Sequence, residues 1–470
     1  MEKKSNVLKG VILLICGFCL SAPSFAQLQE PELSDVEVLG QKVSTLQSAI
    51  TALQKFKVSG YIQTQYQYGE AAADGYNFKL AKRANSYESN AYYPGSKDYK
   101  GLDGFGRFGI RRGRFKLTYE EGIVSGVAQI DVTDKGINDA AVPGRNVVLF
   151  KDLFLNIKDP WFGTSAFKAG IFDRPFGHEI AYSSSLRESP ERSRIIQSLF
   201  PDERDLGVML TLQPAKTSAW NFLKLEAGLF AGNGIKPQID SHMDFIGHLS
   251  VNKVFGNDMS LSGGISLYLG DVLQTDSSTY IMKGNKFELE SKSRSNIGRL
   301  ATRKYIGLDI QYNVITAFGM TLLRAEYIFG KHPGNASGAY SFGLNDIPGG
   351  PVYMRNISGG YVIFVQDFGQ SPVSAIVKYD RYNPNTDVSG DDIAAADSRT
   401  GTGDVAMSNV GVGLLWRINP ALKLTAYYDF VSNETTANLK NAKDGDNIIK
   451  YGYEGQRPDN VFTLRLQYKF

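Results

Sequence analysis

Cysteine is nearly missing from this 470-residue chain, and the two that occur, Cys16 and Cys19, lie close to its amino terminus. Everything downstream is therefore closed to disulfide frameworks, thiolate metal sites and cysteine nucleophiles. Histidine is scarce too. His178, His242, His248 and His332 show neither metal-ligand spacing nor a companion Gly-x-Ser-x-Gly motif, so no metal centre, no cofactor and no enzyme is expected. The only long apolar run, Val11 to Leu20, falls short of the roughly 18 residues a spanning helix requires. Excess charge is also absent: a formal net charge of +3 points to no nucleic-acid partner, and any preference among charged solutes must come from where the charges are placed.

Lys3, Lys4 and Lys9 precede the apolar run, and Ser24-Phe25-Ala26 follows it with small residues at the positions a signal peptidase reads. Residues 1–26 are thus expected to be an export signal cleaved before Gln27. Its removal takes away three Lys and one Glu, a net of +2, and lowers the formal charge from +3 to +1. A mean hydropathy of −0.22 would suit a soluble protein. A barrel that alternates lipid-facing with water-facing residues averages to a similar value, and the 27 Phe and 25 Tyr fit the aromatic girdles of such a barrel.

The carboxy-terminal segment is the clearest example of that alternation. Phe462, Leu464, Leu466, Tyr468 and Phe470 fall on one face of an extended strand, with Thr463, Arg465, Gln467 and Lys469 on the other. Such a strand closes an outer-membrane barrel or forms the edge of a soluble sandwich. Sixteen candidate strands begin near residues 58, 105, 123, 147, 164, 204, 219, 243, 259, 303, 319, 352, 372, 407, 420 and 460. Short links such as Glu121-Gly122 and Asn419-Pro420 alternate strictly with long ones, and that alternation belongs to outer-membrane barrels. The expected fold is all-β: a 16-stranded transmembrane antiparallel β-barrel over 58–470, in contact with outer-membrane lipid. Ahead of it, Val36, Leu39, Val43, Leu46, Ile50 and Leu53 recur at spacings of three and four. This predicts a short heptad helix over 34–56 in a periplasmic segment 27–57, either paired as a coiled coil or resting on the barrel.

Several stretches resemble the phosphate-selective porin O and P family. Lys168-Ala169-Gly170-Ile171-Phe172 followed by Arg174-Pro175-Phe176-Gly177 is similar to the family's strand leading into its third loop, and Glu191-Arg192-Ser193 to the Glu-Arg within that loop. Gly228 to Gly234, Arg324-Ala325-Glu326-Tyr327, Lys378-Tyr379-Asp380-Arg381 and Gly411 to Leu424 add matches. The resemblance implies a homotrimeric sixteen-stranded channel whose third loop, about 174–203, folds inward, with Arg192 facing the pore. One position departs from the family. Tyr61, in Gly60-Tyr61-Ile62-Gln63, stands where the family's first strand often carries an arginine, which argues against a tight phosphate site.

Period-two geometry turns Arg112, Arg114 and Lys116 to the lumen if Phe115, Leu117 and Tyr119 face lipid. Together with Lys168, Arg192 and Arg324 they form the expected anion path, since guanidinium forks hold oxyanions bidentately. The alternative is a set of lumen charges paired with carboxylates such as Asp131 and Asp152. The same parity points Arg111 outward, where an arginine near the bilayer midplane costs about 2–4 kcal/mol, so a bulge or a subunit interface is needed there. Lys283, Lys286, Lys292 and Arg294 lie in a long loop, about 271–302, that forms either an electrostatic funnel at the pore mouth or a solvated surface. The expected function is passive diffusion of small hydrophilic solutes with an anion preference. Non-selective diffusion and a structural or adhesive role are the alternatives.

Overall fold

The computed structural model describes residues 35–70, 104–132, 148–201, 203–235, 238, 240–336, 350–440, 443–444, 447–448 and 452–470. The expected export signal, 1–26, lies outside the described residues, as do most of the first two long connections. The chain divides into two compact units, 1–54 and 55–470.

The first unit contributes one helix, α1 (Asp35–Gln54). Leu39, Val43, Leu46, Ile50 and Leu53 all stand exposed on it. The helix forms where the apolar spacing places it, but the expected heptad pairing is not present: a seam needs a second helix to receive its knobs, and this is a single amphipathic helix with its stripe open.

The second unit is the barrel. Its strands are Phe56–Glu70 (β1), Gly104–Glu121 (β2), Val124–Val132 (β3), Val148–Lys158 (β4), Ala166–Asp173 (β5), Arg204–Leu212 (β6), Leu223–Phe230 (β7), Asp244–Phe255 (β8), Met259–Leu273 (β9), Leu300–Thr316 (β12), Gly319–Gly334 (β13), Val352–Asp367 (β14), Val373–Asn383 (β15), Met407–Arg417 (β16), Leu422–Asn433 (β17) and Val461–Lys469 (β20). All sixteen begin within four residues of their expected starts. Two small hairpins lie in the long connections: Ser278–Lys283 (β10) with Lys286–Lys292 (β11), and Lys443–Asp444 (β18) with Asn447–Ile448 (β19). Periodicity did not reveal the first of these, which adds to the sheet by a parallel pairing with β14.

Each barrel strand pairs antiparallel with the next, and β20 pairs with both β17 and β1, which closes the sheet. Closure extends to the last residue. Phe470 exchanges backbone hydrogen bonds of 2.9 and 3.0 Å with Gly60, and its ring packs 5.5 Å from that of Phe115. Position 60 admits only glycine here, because a Cβ would lie 2.6 Å from the Phe470 ring.

Alternation sorts the two faces. Leu153, Leu155 and Ile157 on β4, Leu206, Val208 and Leu210 on β6, and Ile306, Leu308 and Ile310 on β12 are exposed outward. Gln63, Gln65 and Gln67 on β1 and Thr463, Arg465 and Gln467 on β20 are buried in the interior. Bulges interrupt the alternation twice. Gln63 pairs with Arg112 and Thr64 with Ile110, leaving Arg111 as the extra residue of β2; Gln129 pairs with Asp152 and Ile130 with Phe150, leaving Lys151 as the extra residue of β4. A bulge reverses parity, so Arg111 and Arg112 both face inward, as do Lys151 and Asp152.

The connection between β5 and β6, residues 174–203, folds into the barrel and is buried along most of its length. It includes a short helix, α2 (Arg194–Leu199). Phe176, Ile180, Ile195, Ile196, Leu199 and Phe200 form one apolar cluster with Phe172, Phe230, Ile246, Tyr268, Tyr305, Ile328, Ile357 and Tyr382 of the wall. This core fixes the loop against one side of the barrel and presents its polar segment, 182–192, to the other.

Candidate functional site

The neck of the inward loop is tied by the Arg174 amide donating to the Glu203 carbonyl at 3.3 Å. Just beyond it the chain turns sharply at Gly177, whose φ of 61° favours glycine. A side chain there would also collide with the Glu326 carboxylate. That carboxylate instead accepts from the His178 and Glu179 amides at 3.2 and 3.0 Å, so β13 holds the root of the loop through its backbone.

The polar segment then crosses to the opposite wall. Glu191 is its principal anchor. Its carboxylate receives Arg111 at 2.7 and 2.9 Å, Arg112 at 3.3 Å and Arg465 at 2.6 Å. Burial alone would push this carboxyl up, but the three guanidinium groups outweigh burial and hold it well below the usual carboxylate range. Arg111 reaches this cluster because the β2 bulge turns it inward, so the outward placement expected from strict alternation is corrected. Tyr61 donates to or accepts from the Ser184 hydroxyl at 2.6 Å, binding the loop to β1 where the family pattern has a cation.

The remaining expected path residues separate by environment. Arg112 also donates to Gln63 at 3.0 Å, and Arg114 donates to Asp131 at 2.9 Å and Ser184 at 3.1 Å. Lys116 faces inward, half-buried, with Ser59 and Gln129 as register partners. Lys168 lies 5.0 and 5.2 Å from the ring centroids of Phe154 and Phe172. Arg324 meets Glu188 at 3.2 and 3.4 Å and Gln311 at 2.8 Å. Arg192 is turned back into its own loop, donating to the carbonyls of Glu179, Ile180 and Tyr182 and pairing with Glu203. The pore-mouth cations are not on a bare loop. Lys283 and Lys286 flank the turn of the β10/β11 hairpin and both approach Glu288, at 3.2 and 3.7 Å, while Lys292 and Arg294 are exposed beyond it.

Two cations outside the expected path matter more. Arg187 is 4% exposed, and none of its three side-chain nitrogens has a hydrogen-bond partner among the described residues. Lys423 donates at 2.9 Å to the carbonyls of Ser185 and Arg187. Around segment 185–191 the interior therefore gathers Arg111, Arg112, Arg187, Arg324, Arg465 and Lys423 against the two carboxylates of Glu188 and Glu191, an excess of positive charge in a low-dielectric setting. Nothing in the sequence signals which charged members of the 174–203 loop pair and which do not. Arg465 was legible as inward from its strand, but its contact with the loop was not.

No family model and no curated protein matches the chain. Solved structures do. OprB of Pseudomonas putida aligns over 92% of this chain and 97% of its own at 10% identity with a TM-score of 0.50. OmpF of Salmonella typhi, in complex with daunomycin, aligns over 88% and 97% at 11% identity with a TM-score of 0.49. The trimer form of OmpT, an outer membrane protein of Vibrio cholerae, aligns over 88% and 99% at 10% identity with a TM-score of 0.46. At these identities the likeness is one of fold: a closed porin-type barrel. The resemblance to the phosphate-selective family is carried by the sequence motifs alone.

Proposed function

We propose that the chain is an exported outer-membrane porin, a homotrimeric water-filled channel for passive diffusion of small hydrophilic solutes, with a preference for anions. The observation that carries the preference is Arg187. Its buried guanidinium has no hydrogen-bond partner among the described residues, so its charge is not cancelled by a bound carboxylate and adds to the positive field of the interior. Arg112, Arg114, Lys116, Lys168, Arg192 and Arg324 contribute field along the same interior, although Arg112, Arg114, Arg192 and Arg324 are each engaged by a carboxylate. That pairing is also what favours a non-selective diffusion porin as the second reading. The hydroxyl of Tyr61 in place of a cation points to general anion preference over a tight site for phosphate-like oxyanions.

The test is planar-bilayer reversal potential under a salt gradient, on the wild type and on Arg187→Gln. Anion-selective wild type with selectivity reduced by the substitution is expected, with phosphate blocking chloride current only weakly. A cation-selective wild type, or selectivity indifferent to Arg187, leaves the non-selective reading.

A further inference from the structure

The outer wall carries a second grouping of cations that the channel does not use. On β12 to β15 the outward face is apolar over most of its height, with Ile306, Leu308, Ile310, Leu323, Tyr327, Phe329, Val362, Phe364, Val377 and Tyr379 exposed. Towards the ends that lead into the long connections, Lys304 on β12, Lys331 on β13 and Arg381 on β15 are exposed on this same face. Lys304 and Lys331 are register partners. Like charges at directly opposed positions of an antiparallel pair are destabilising unless an anion lies between or above them. No outward-facing residue of the described parts of these four strands is acidic.

Between the cations the wall is hollowed. Ala325, Ser358 and Gly360 are small outward residues flanked by Leu308, Tyr327 and Tyr379, and they form a cavity of about 490 Å³ that Arg381 also lines. An arginine on a lipid-facing wall is costly near the midplane and tolerable where it meets headgroups. The long-connection end of an outer-membrane barrel is the outer-leaflet end.

The geometry points to a binding site for a phosphate-bearing lipid of the outer leaflet, with a phosphate on the paired Lys304 and Lys331 and an acyl chain in the groove over Ser358 and Gly360, where Arg381 offers a second cation. A second copy of the chain suits this face poorly. At the same end, among the described residues, Asp271 lies 3.4 Å from His242, Glu70 accepts from the Asn460 amide at 3.2 Å and Asp387 accepts from the Asn356 side chain at 2.9 and 3.1 Å, so these acids are already engaged one by one and form no anionic patch to complement three cations. The inference needs the barrel to be embedded in an outer membrane, as in the proposed function, and is independent of ion selectivity.

The test uses the full-length protein purified in a neutral detergent, with bis-phosphorylated lipid A as the probe and its dephosphorylated form as the control. The expected result is a rise in the thermal unfolding midpoint with the phosphorylated probe, not reproduced by the dephosphorylated form or by inorganic phosphate. In Lys304→Gln/Lys331→Gln/Arg381→Gln the rise should be lost while the barrel stays heat-modifiable. Equal responses to both lipid forms, a triple variant that responds like the wild type, or an effect of free phosphate alone would each overturn the site. A triple variant that changes oligomeric state with its lipid response intact would overturn it in favour of a subunit interface. Conductance of the triple variant is read in parallel. An unchanged channel with no lipid response, or the converse, separates failure of this site from failure of the porin reading.

Discussion

At the residue scale, Glu191 decides how the interior is organised, because it alone gathers guanidinium groups from β2 and β20 onto the loop. Removing one partner of a buried ionic cluster costs about 3–5 kcal/mol, since the remaining charges stay buried and uncompensated. Glu191→Gln should therefore release the polar segment from that wall, raising single-channel conductance and current noise while the barrel remains heat-modifiable; unchanged conductance in planar bilayers would contradict the anchoring role. The pH dependence has a definite sign. Burial opposes ionisation of both Glu191 and Glu203, but the adjacent cations outweigh it and hold both carboxyls well below their ordinary range. A depressed carboxyl stabilises the folded state in full above the unfolded pKa, about 4.3 for Glu, and loses that contribution as pH falls through the folded value. His178, lowered to about 4 by burial and by Arg324, stays neutral at about pH 5 and above and protonates only in stronger acid. Protease resistance of the loop should be the same at neutral pH and at about pH 5, and fall only in stronger acid. Loosening between those two values would mean that other groups fasten it.

At the element scale, three devices are testable separately. Gly177 has both a positive φ and no room for a side chain, so Gly177→Ala should displace the loop root from Glu326 at a cost of about 1–3 kcal/mol, read as altered conductance with an intact barrel. The closing strand depends on Phe470 through two backbone hydrogen bonds and a ring contact with Phe115. Replacing Phe470 with Asp should reduce the yield of heat-modifiable barrel on gels, and near-normal yield would count heavily against that dependence. Helix α1 presents Leu46 and Ile50 exposed at 61% and 52%, a stripe suited to a second helix. Leu46→Glu with Ile50→Glu should weaken the oligomer on mild-detergent gels without loss of the barrel.

At the scale of the whole molecule, the barrel and its loop divide the work. The sheet supplies a closed cylinder with no free edge and an apolar exterior. The loop fills one side of the interior with an apolar core and brings a polar segment, in which Arg187 and Arg192 balance Glu188 and Glu191, against the cations of the other. Selectivity should accordingly follow the loop and not the sum of charges on the chain. Exchanging Arg187 should shift the reversal potential more than exchanging Arg114, whose charge is neutralised by Asp131. An equal shift from both would assign selectivity to the general field of the wall.

The sequence by itself determined the barrel. Strand count, strand starts and the alternation of short and long connections are local properties, readable because period-two patterning has to be kept wherever one face meets lipid and the other water. It also determined that α1 is a helix, whereas an inward course for residues 174–203 was implied only by the family resemblance. What only the tertiary structure decided is which charges remain unpaired. Arg111 and Lys151 face inward because of bulges, and a one-residue slip in register leaves no mark on composition. Arg192 and Arg187 lie five positions apart in the same loop, yet one is surrounded by acceptors and the other has none among the described residues. That difference arises from contacts between residues far apart in sequence, such as Glu191 with Arg465, whose meeting is a consequence of closure and has no local signature.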